Sequence, residues 1–160
     1  MPKRLRAETT IAAPPERVWE LLTDFPSFRS WNPFIRRATG EVRTGAKLDI
    51  YLRIYKRNLT HFRPVVTAAS APNELRWHAI LGFPGVMDVD RFFLLERTED
   101  GGTRFRQGED CSGLLAVPLL ATGLESRILK VYARLNKALK ARAEKAAESA
   151  VQPSSTATNN

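Results

Sequence analysis

One helix constrains this chain more than any other stretch. From about Val117 or Leu120 to about Ala147, the residues Leu120, Leu124, Ile128, Val131, Leu135 and Leu139 recur at steps of four or three, so one helical face is apolar. The other face carries Arg127, Lys130, Arg134, Lys137, Lys140, Arg142 and Lys145. Most of these cations sit toward the C-terminal end, where they complement the helix macrodipole. A helix this long with a single apolar stripe must lie against something. Most of the chain before it reads as strands, so the expected partner is a curved sheet.

Arg4 to Ala12 alternates, with Leu5, Ala7, Thr9 and Ile11 on one side, which predicts a half-buried first strand. Pro14-Pro15-Glu16 opens a helix whose buried side is Val18, Trp19, Leu21 and Leu22, with proline in the first turn where its missing N–H costs nothing. Pro26 interrupts it, and Ser27 to Trp31 predicts a second short helical turn. Trp31 to Ile35 leads into a strand ending near Gly40. Further strands are expected over Lys47 to Tyr55, Leu59 to Ala69, Glu74 to Leu81, Asp88 to Thr98 and Thr103 to Cys111. Thr44-Gly45, Lys56-Arg57-Asn58, Pro72-Asn73, Gly82 to Gly85 and Asp100-Gly101-Gly102 separate them as turns or loops.

The expectation is one α+β domain over residues 1–148. A curved antiparallel sheet of about seven strands wraps a long C-terminal helix, and two short helices follow the first strand. Ser, Thr, Pro, Asn and Gln dominate residues 149–160, which are expected to form a disordered tail.

With 160 residues the chain suits one domain with a sizeable core. Lys plus Arg is 25 against 17 Asp plus Glu, a net +8 that admits anionic partners. No aromatic residues interleave with the cations in the manner of a single-strand-binding surface, so no nucleic-acid partner is expected. The simplest reading is a solvated basic helix face, with an anionic membrane or an acidic protein as the alternative occupant. Cys111 is the only cysteine, which rules out an internal disulfide, and nothing suggests a cysteine-based metal site. No apolar h-region follows the basic Met1 to Arg6, and the apolar run Leu114 to Leu124 is broken by Pro118, Thr122 and Gly123 and too short to span a bilayer. A cytoplasmic protein is expected, as monomer or homodimer.

Ile11-Ala12-Ala13-Pro14, Glu16, Val18-Trp19, Leu22, Asp24 and Trp31-Asn32-Pro33-Phe34 resemble the N-terminal signature of the START-like, helix-grip (SRPBCC) superfamily, with its polyketide cyclase/dehydrase branch closest. Phe62 with Pro64 and Val66, Leu75 with Trp77, Phe92 with Leu94, Gly102-Thr103 with Phe105, and Glu109 with Gly113-Leu114 extend the match over nearly the whole chain except its tail. The resemblance implies a deep cavity between the concave sheet face and the last helix, used for apolar or amphipathic ligands. A fold of this kind hosts many functions, so it does not by itself choose one.

Strand parity leads to the same cavity from the residues. One face collects Leu48, Ile50, Leu52 and Ile54, then Phe62 and Val66, Leu75 and Trp77, Phe92 and Leu94, and Phe105. The candidate ligand-binding set is Trp31, Phe34, Leu52, Phe62, Trp77, Asp90, Phe92, Phe105, Glu109, Leu120, Leu124 and Ile128. Two of these are acids. If the Asp100-Gly101-Gly102 turn pairs Phe92 with Glu109 and Asp90 with Cys111, then Asp90 and Glu109 are diagonal neighbours on the inner face. Carboxylates so placed raise each other's proton affinity, so one could act as a general acid or base. Alternatively Glu109 pairs with Arg91, Arg104 or Arg106, or Asp90 sits at a frayed strand end. His61 and His78 fall on the outer parity with no metal partner at ligand spacing, and no glycine-rich phosphate loop is present; no metal or cofactor is expected.

Three functions fit. The first is binding of a small hydrophobic or amphipathic molecule, lipid- or polyketide-like. The second is a cyclase, aromatase or dehydratase using Asp90 or Glu109. The third is an accessory protein docking through the basic helix face. Gly82 to Val86 and Gly113 to Gly123 are candidate gates to the cavity, since they join rigid elements and contain glycines.

Overall fold

The computed structural model describes residues 2–151. The alternating N-terminal run forms β1 (Lys3–Ile11), with Leu5 and Ile11 buried and Arg4, Arg6 and Glu8 exposed. Pro15 begins α1 (Pro15–Thr23), which buries Val18 and Leu22. A 3-10 turn (Phe25–Ser27) and the single-turn α2 (Phe28–Trp31) follow. Asn32 is fully buried, and its side-chain oxygen accepts the N–H groups of Phe34 at 2.9 Å and Ile35 at 2.8 Å. The Trp31-Asn32-Pro33-Phe34 run is therefore a side-chain-stabilised turn that aims the chain into the next strand.

Two antiparallel sheets follow. β2 (Ile35–Thr39), β3 (Asp49–Leu52) and β4 (Thr60–Phe62) form the smaller one, in that order. β5 (Val65–Ser70), β6 (Glu74–Leu81), β7 (Met87–Arg97) and β8 (Thr103–Ser112) join β1 in the larger, ordered β1-β8-β7-β6-β5. The stretch Leu59 to Ala69, expected as one strand, is two. It crosses from one sheet to the other at Arg63-Pro64, where proline has no N–H to give a ladder. Strand and lead-in segments stitch the sheets into one curved surface: the Leu48 N–H donates to Pro64 O at 2.9 Å and the Val66 N–H to Ala46 O at 2.9 Å.

The C-terminal helix departs from the single rod that its periodicity predicts. A short α3 (Ala116–Leu119) and a π turn (Leu120–Leu124) precede α4 (Glu125–Val151). The break falls at Gly123, whose φ of 90° is open to glycine and costly for other residues. α4 buries Ile128, Val131, Tyr132, Leu135, Asn136, Leu139 and Ala143 against the concave face, packing on β1 and α1. It runs past Ala147 to Val151, into the stretch expected as tail; residues 152–160 lie outside those described. Part of the basic face fastens the helix down. The Lys140 ammonium donates to Thr10 O at 2.7 Å and to Glu144 at 2.6 Å, and Glu144 accepts the Ala12 N–H at 2.9 Å. The Ala12 N–H foremost, with Lys140, holds the Glu144 carboxyl below its usual range. Among the described residues no helix is long and apolar enough to cross a membrane.

Candidate functional site

A cavity of about 340 Å³ opens between the two sheets and the segment that leads into α4. Its first wall is the smaller sheet, through Ile50, Leu52, Ile54, Thr60 and Phe62. The opposite wall is the larger sheet, through Trp77, Ala79, Leu81, Met87 and Val89. Leu115, Leu119, Leu124 and Ile128 roof it, and this is why the chain needs a kinked lead-in as well as a straight helix. The buried Phe34, Arg91 and Glu109 mark its closed end, while the exposed Tyr55, Leu115 and Leu119 mark its mouth. Its lining is almost entirely apolar, the usual make-up of a small-molecule site.

The charged residues that line the cavity are Arg91 and Glu109, which face each other across β7 and β8. Arg91 is only 3% exposed. Its Nη1 lies 3.6 Å from Glu109 Oε2, and its Nη2 donates to Gln107 Oε1 at 2.6 Å. Gln107 Nε2 donates in turn to Asn136 Oδ1 on α4 at 2.5 Å. The guanidinium is caged by three rings: its carbon is 4.5 Å from the centroid of Tyr132, 4.7 Å from Phe93 and 5.1 Å from Phe34. Arg91 Nε, Arg91 Nη1 and the Tyr132 hydroxyl are buried without a hydrogen-bond partner among the described residues. Burial foremost pushes the Tyr132 phenol well above its usual range; Glu109 adds to the rise and Arg91 opposes it. Beside them Cys111 is buried, and its thiol is pushed up to about 12, by burial first and then by Glu109 and Asp110. Such a thiol is a packing group, not a nucleophile.

Seven residues of the sequence-derived set line the cavity: Phe34, Leu52, Phe62, Trp77, Glu109, Leu124 and Ile128. Five do not. Asp90 and Phe92 project from the opposite face of β7, because the register pairs Arg91 with Glu109, Phe92 with Gly108 and Asp90 with Asp110. A shift of one residue flips every side chain of a strand. Asp90 is exposed, and its partner is His78 Nδ1 at 2.8 Å, on the outer face of β6. Phe92 is covered outside the sheet by the guanidiniums of Arg6 and Arg76, at 4.7 and 5.3 Å from its centroid. Phe105 is inward but part of the solid core, stacked on Phe93. Leu120 is buried beneath the π turn, and Trp31 packs edge-on against Phe28 with its indole N–H on Ser27 Oγ. The paired-carboxylate arrangement of Asp90 with Glu109 is thus replaced by the alternative pairing of Glu109 with Arg91.

The sequence offers Arg91 only as one of three alternative partners of Glu109 and leaves it out of the ligand-binding set, although it lines the cavity. The signal was there: Val89, Arg91, Phe93 and Leu95 form one face of β7 as consistently as Asp90, Phe92 and Leu94 form the other, and the adjacent Phe92-Phe93 pair satisfies either parity. His61 lies outside, stacked on Tyr51 and bonded to Asp49 at 2.8 Å. Among the described residues no group of His, Cys, Asp and Glu could hold a metal ion.

Three solved structures illustrate the fold. The Zhui aromatase/cyclase of a Streptomyces species is 16% identical, with 96% of this chain and 100% of that one covered at a TM-score of 0.75. A START superfamily protein from Mycobacterium smegmatis is 20% identical, covering 89% of this chain and 98% of that one at 0.68. The di-domain aromatase/cyclase StfQ of steffimycin biosynthesis is 15% identical; 91% of this chain covers 51% of it, at 0.69. No curated protein sequence matches the chain. The family described as "Polyketide cyclase / dehydrase and lipid transport" matches residues 2–144. Its match spans the sheet, the cavity and most of α4, and the chain belongs to that family.

Proposed function

We propose that this protein binds a small amphipathic molecule, with its apolar body between the two sheets and its polar end toward Glu109 and Arg91. The supporting observation is the composition of the cavity. Its roughly 340 Å³ is bounded by aliphatic and aromatic side chains, and its charged lining is a single ion pair at the closed end. That volume lies at the lower edge of the range used for small ligands, about 300–1,000 Å³. A wholly apolar molecule would leave the Glu109 carboxylate facing hydrocarbon, which costs free energy, whereas a hydroxyl or amide on the ligand gives it a donor. Native mass spectrometry of the purified protein, followed by denaturation and identification of what is released, tests this directly. A saturable lipid, fatty acid or aromatic polyketide with one polar end is expected. Release of no such molecule, together with no uptake when fatty acids and aromatic polyketides are added, overturns the reading.

A second reading is catalytic and rests on Glu109, the carboxylate that lines the cavity. Two of the similar structures are aromatase/cyclases, and a carboxylate beside a bound carbonyl compound can take and return a proton. Glu109→Gln separates the two. Loss of turnover with binding retained supports catalysis; a change in affinity alone leaves the binding role.

A further inference from the structure

The mouth of the cavity is apolar on its outside as well as its inside. Phe83, at the tip of the β6–β7 loop, is 78% exposed, and Leu114, at the start of the segment leading into α4, is 81% exposed. The two segments are held together, since the Leu114 N–H donates to Gly85 O at 2.9 Å and the Leu115 N–H to Val86 O at 2.9 Å. Gly113 makes this approach fit: a Cβ there would meet Val86 O at 2.7 Å. Val117, Leu115 and Leu119 continue the exposed surface, and Leu115 and Leu119 turn inward to line the cavity. Contiguous apolar surface of this kind marks a contact site.

Cations border the patch. Arg53, Lys56 and Arg57 are exposed in the β3–β4 loop, which lines the mouth through Tyr55, and Arg127 of α4 lies over the Tyr55 ring at 4.8 Å. Among the described residues none of these four has a carboxylate partner, whereas the nearby acids are engaged. Asp88 accepts the Gly85 N–H at 3.1 Å, and Glu125 pairs with Lys3 at 2.8 Å.

We infer that the mouth docks on an anionic lipid bilayer, with Phe83, Leu114 and Val117 entering the acyl boundary and Arg53, Lys56, Arg57 and Arg127 meeting the headgroups. Apolar insertion combined with unpaired cations is the chemistry of a charged membrane surface. The outer face of α4 has cations but no comparable cluster of large exposed apolar side chains, so the mouth fits a bilayer better. A second copy of the chain placed mouth to mouth about a two-fold axis would set like charges against one another. The docked orientation turns the cavity entrance toward the layer in which amphipathic molecules are concentrated.

The test is flotation with vesicles of phosphatidylcholine alone or with about 30% phosphatidylserine, at low and at about 0.5 M salt. Binding to the anionic vesicles is expected, weakening with salt. Phe83→Ser and Leu114→Ser, at side chains already in solvent, should each lower partitioning about tenfold. Lys56→Ser with Arg57→Ser, which removes two of the four cations, should lower the salt dependence by about half. No binding at low salt, binding unchanged by the Phe83 and Leu114 substitutions, or a dimer that these substitutions dissolve would each overturn the inference. Cavity occupancy is read separately by native mass spectrometry, so vesicle binding by a protein that takes up no ligand sinks the ligand-binding reading and leaves this one standing.

Discussion

Arg91 and Glu109 stand opposite each other on β7 and β8, Nη1 to Oε2 at 3.6 Å, with the guanidinium enclosed by Phe34, Phe93 and Tyr132. The pair ties three elements together, since Gln107 carries it on to Asn136 of α4. Removing one member of a buried pair strands the other charge, at a cost of about 3–5 kcal/mol. Glu109→Leu should therefore lower the urea midpoint strongly. Arg91→Met together with Glu109→Leu should recover most of the loss, because a hydrocarbon pair of similar volume needs no compensation. A double variant no more stable than the single one would show that the polar link through Gln107, not the charge pair, holds the region.

Gly108 makes room for Phe92 on the outer face of the sheet. It sits opposite Phe92 on β8, and a Cβ there would meet Leu5 O at 2.2 Å and Phe92 Cζ at 2.9 Å. The missing side chain makes the space into which the ring and the Arg6 stem pack. Gly108→Ala should destabilise the domain by about 2 kcal/mol, through displacement of β1 or the ring. That corresponds to a fall in Tm of roughly 5 °C. An unchanged melting temperature would mean that β1 yields without cost.

Alkaline pH acts on the buried groups beside the cavity. A thiol that titrates near 8.5 when unfolded is held up to about 12 in the fold, so the folded state keeps a proton that the unfolded state loses. The Tyr132 phenol is shifted the same way. Stability is therefore fully present below about pH 8.5 and falls as pH rises toward 12. Urea midpoints measured from pH 7 to 11 should decline, and Cys111→Ala should flatten the first part of the decline. The native protein should also leave Ellman's reagent unreacted at pH 8, with one thiol appearing in denaturant.

The helix and most strands were legible because their periods are unambiguous. Alternation alone places β6 at Glu74–Leu81 and sets Phe105, Gln107 and Glu109 on the inner face of β8. The misreading of β7 came from a turn. The Thr98 N–H donates to Gly102 O, so the hairpin closes Arg97 on Thr103 around five residues, and this register sets Arg91, not Phe92, opposite Glu109. Periodicity could not see that, since Phe92 and Phe93 suit either face. The mouth was partly legible: the glycine-bearing segments 82–86 and 113–123 were picked out, but their backbone pairing depends on tertiary approach. The π turn at Gly123 likewise reads as helix from its apolar spacing alone, because Leu120, Leu124 and Ile128 keep the period across the break.

The cavity itself can be filled from within. Ala79 lies on the larger sheet and faces the opening with a small side chain, between Trp77 and Leu81 on the same face of β6. Its replacement by Trp places a ring in the ligand volume while leaving the ion pair and the helix contacts untouched. The surrounding walls are already partly exposed at Leu81 and Val89, so the ring has room to settle without disturbing the core. Stability should fall by no more than about 1–3 kcal/mol, the usual cost of adding volume to an interior. Binding of a fluorescent fatty acid should fall by at least about tenfold, as expected when a pocket loses a ring's worth of volume. Undiminished binding in a folded Ala79→Trp variant would place the ligand elsewhere and remove the basis for assigning function to this cavity.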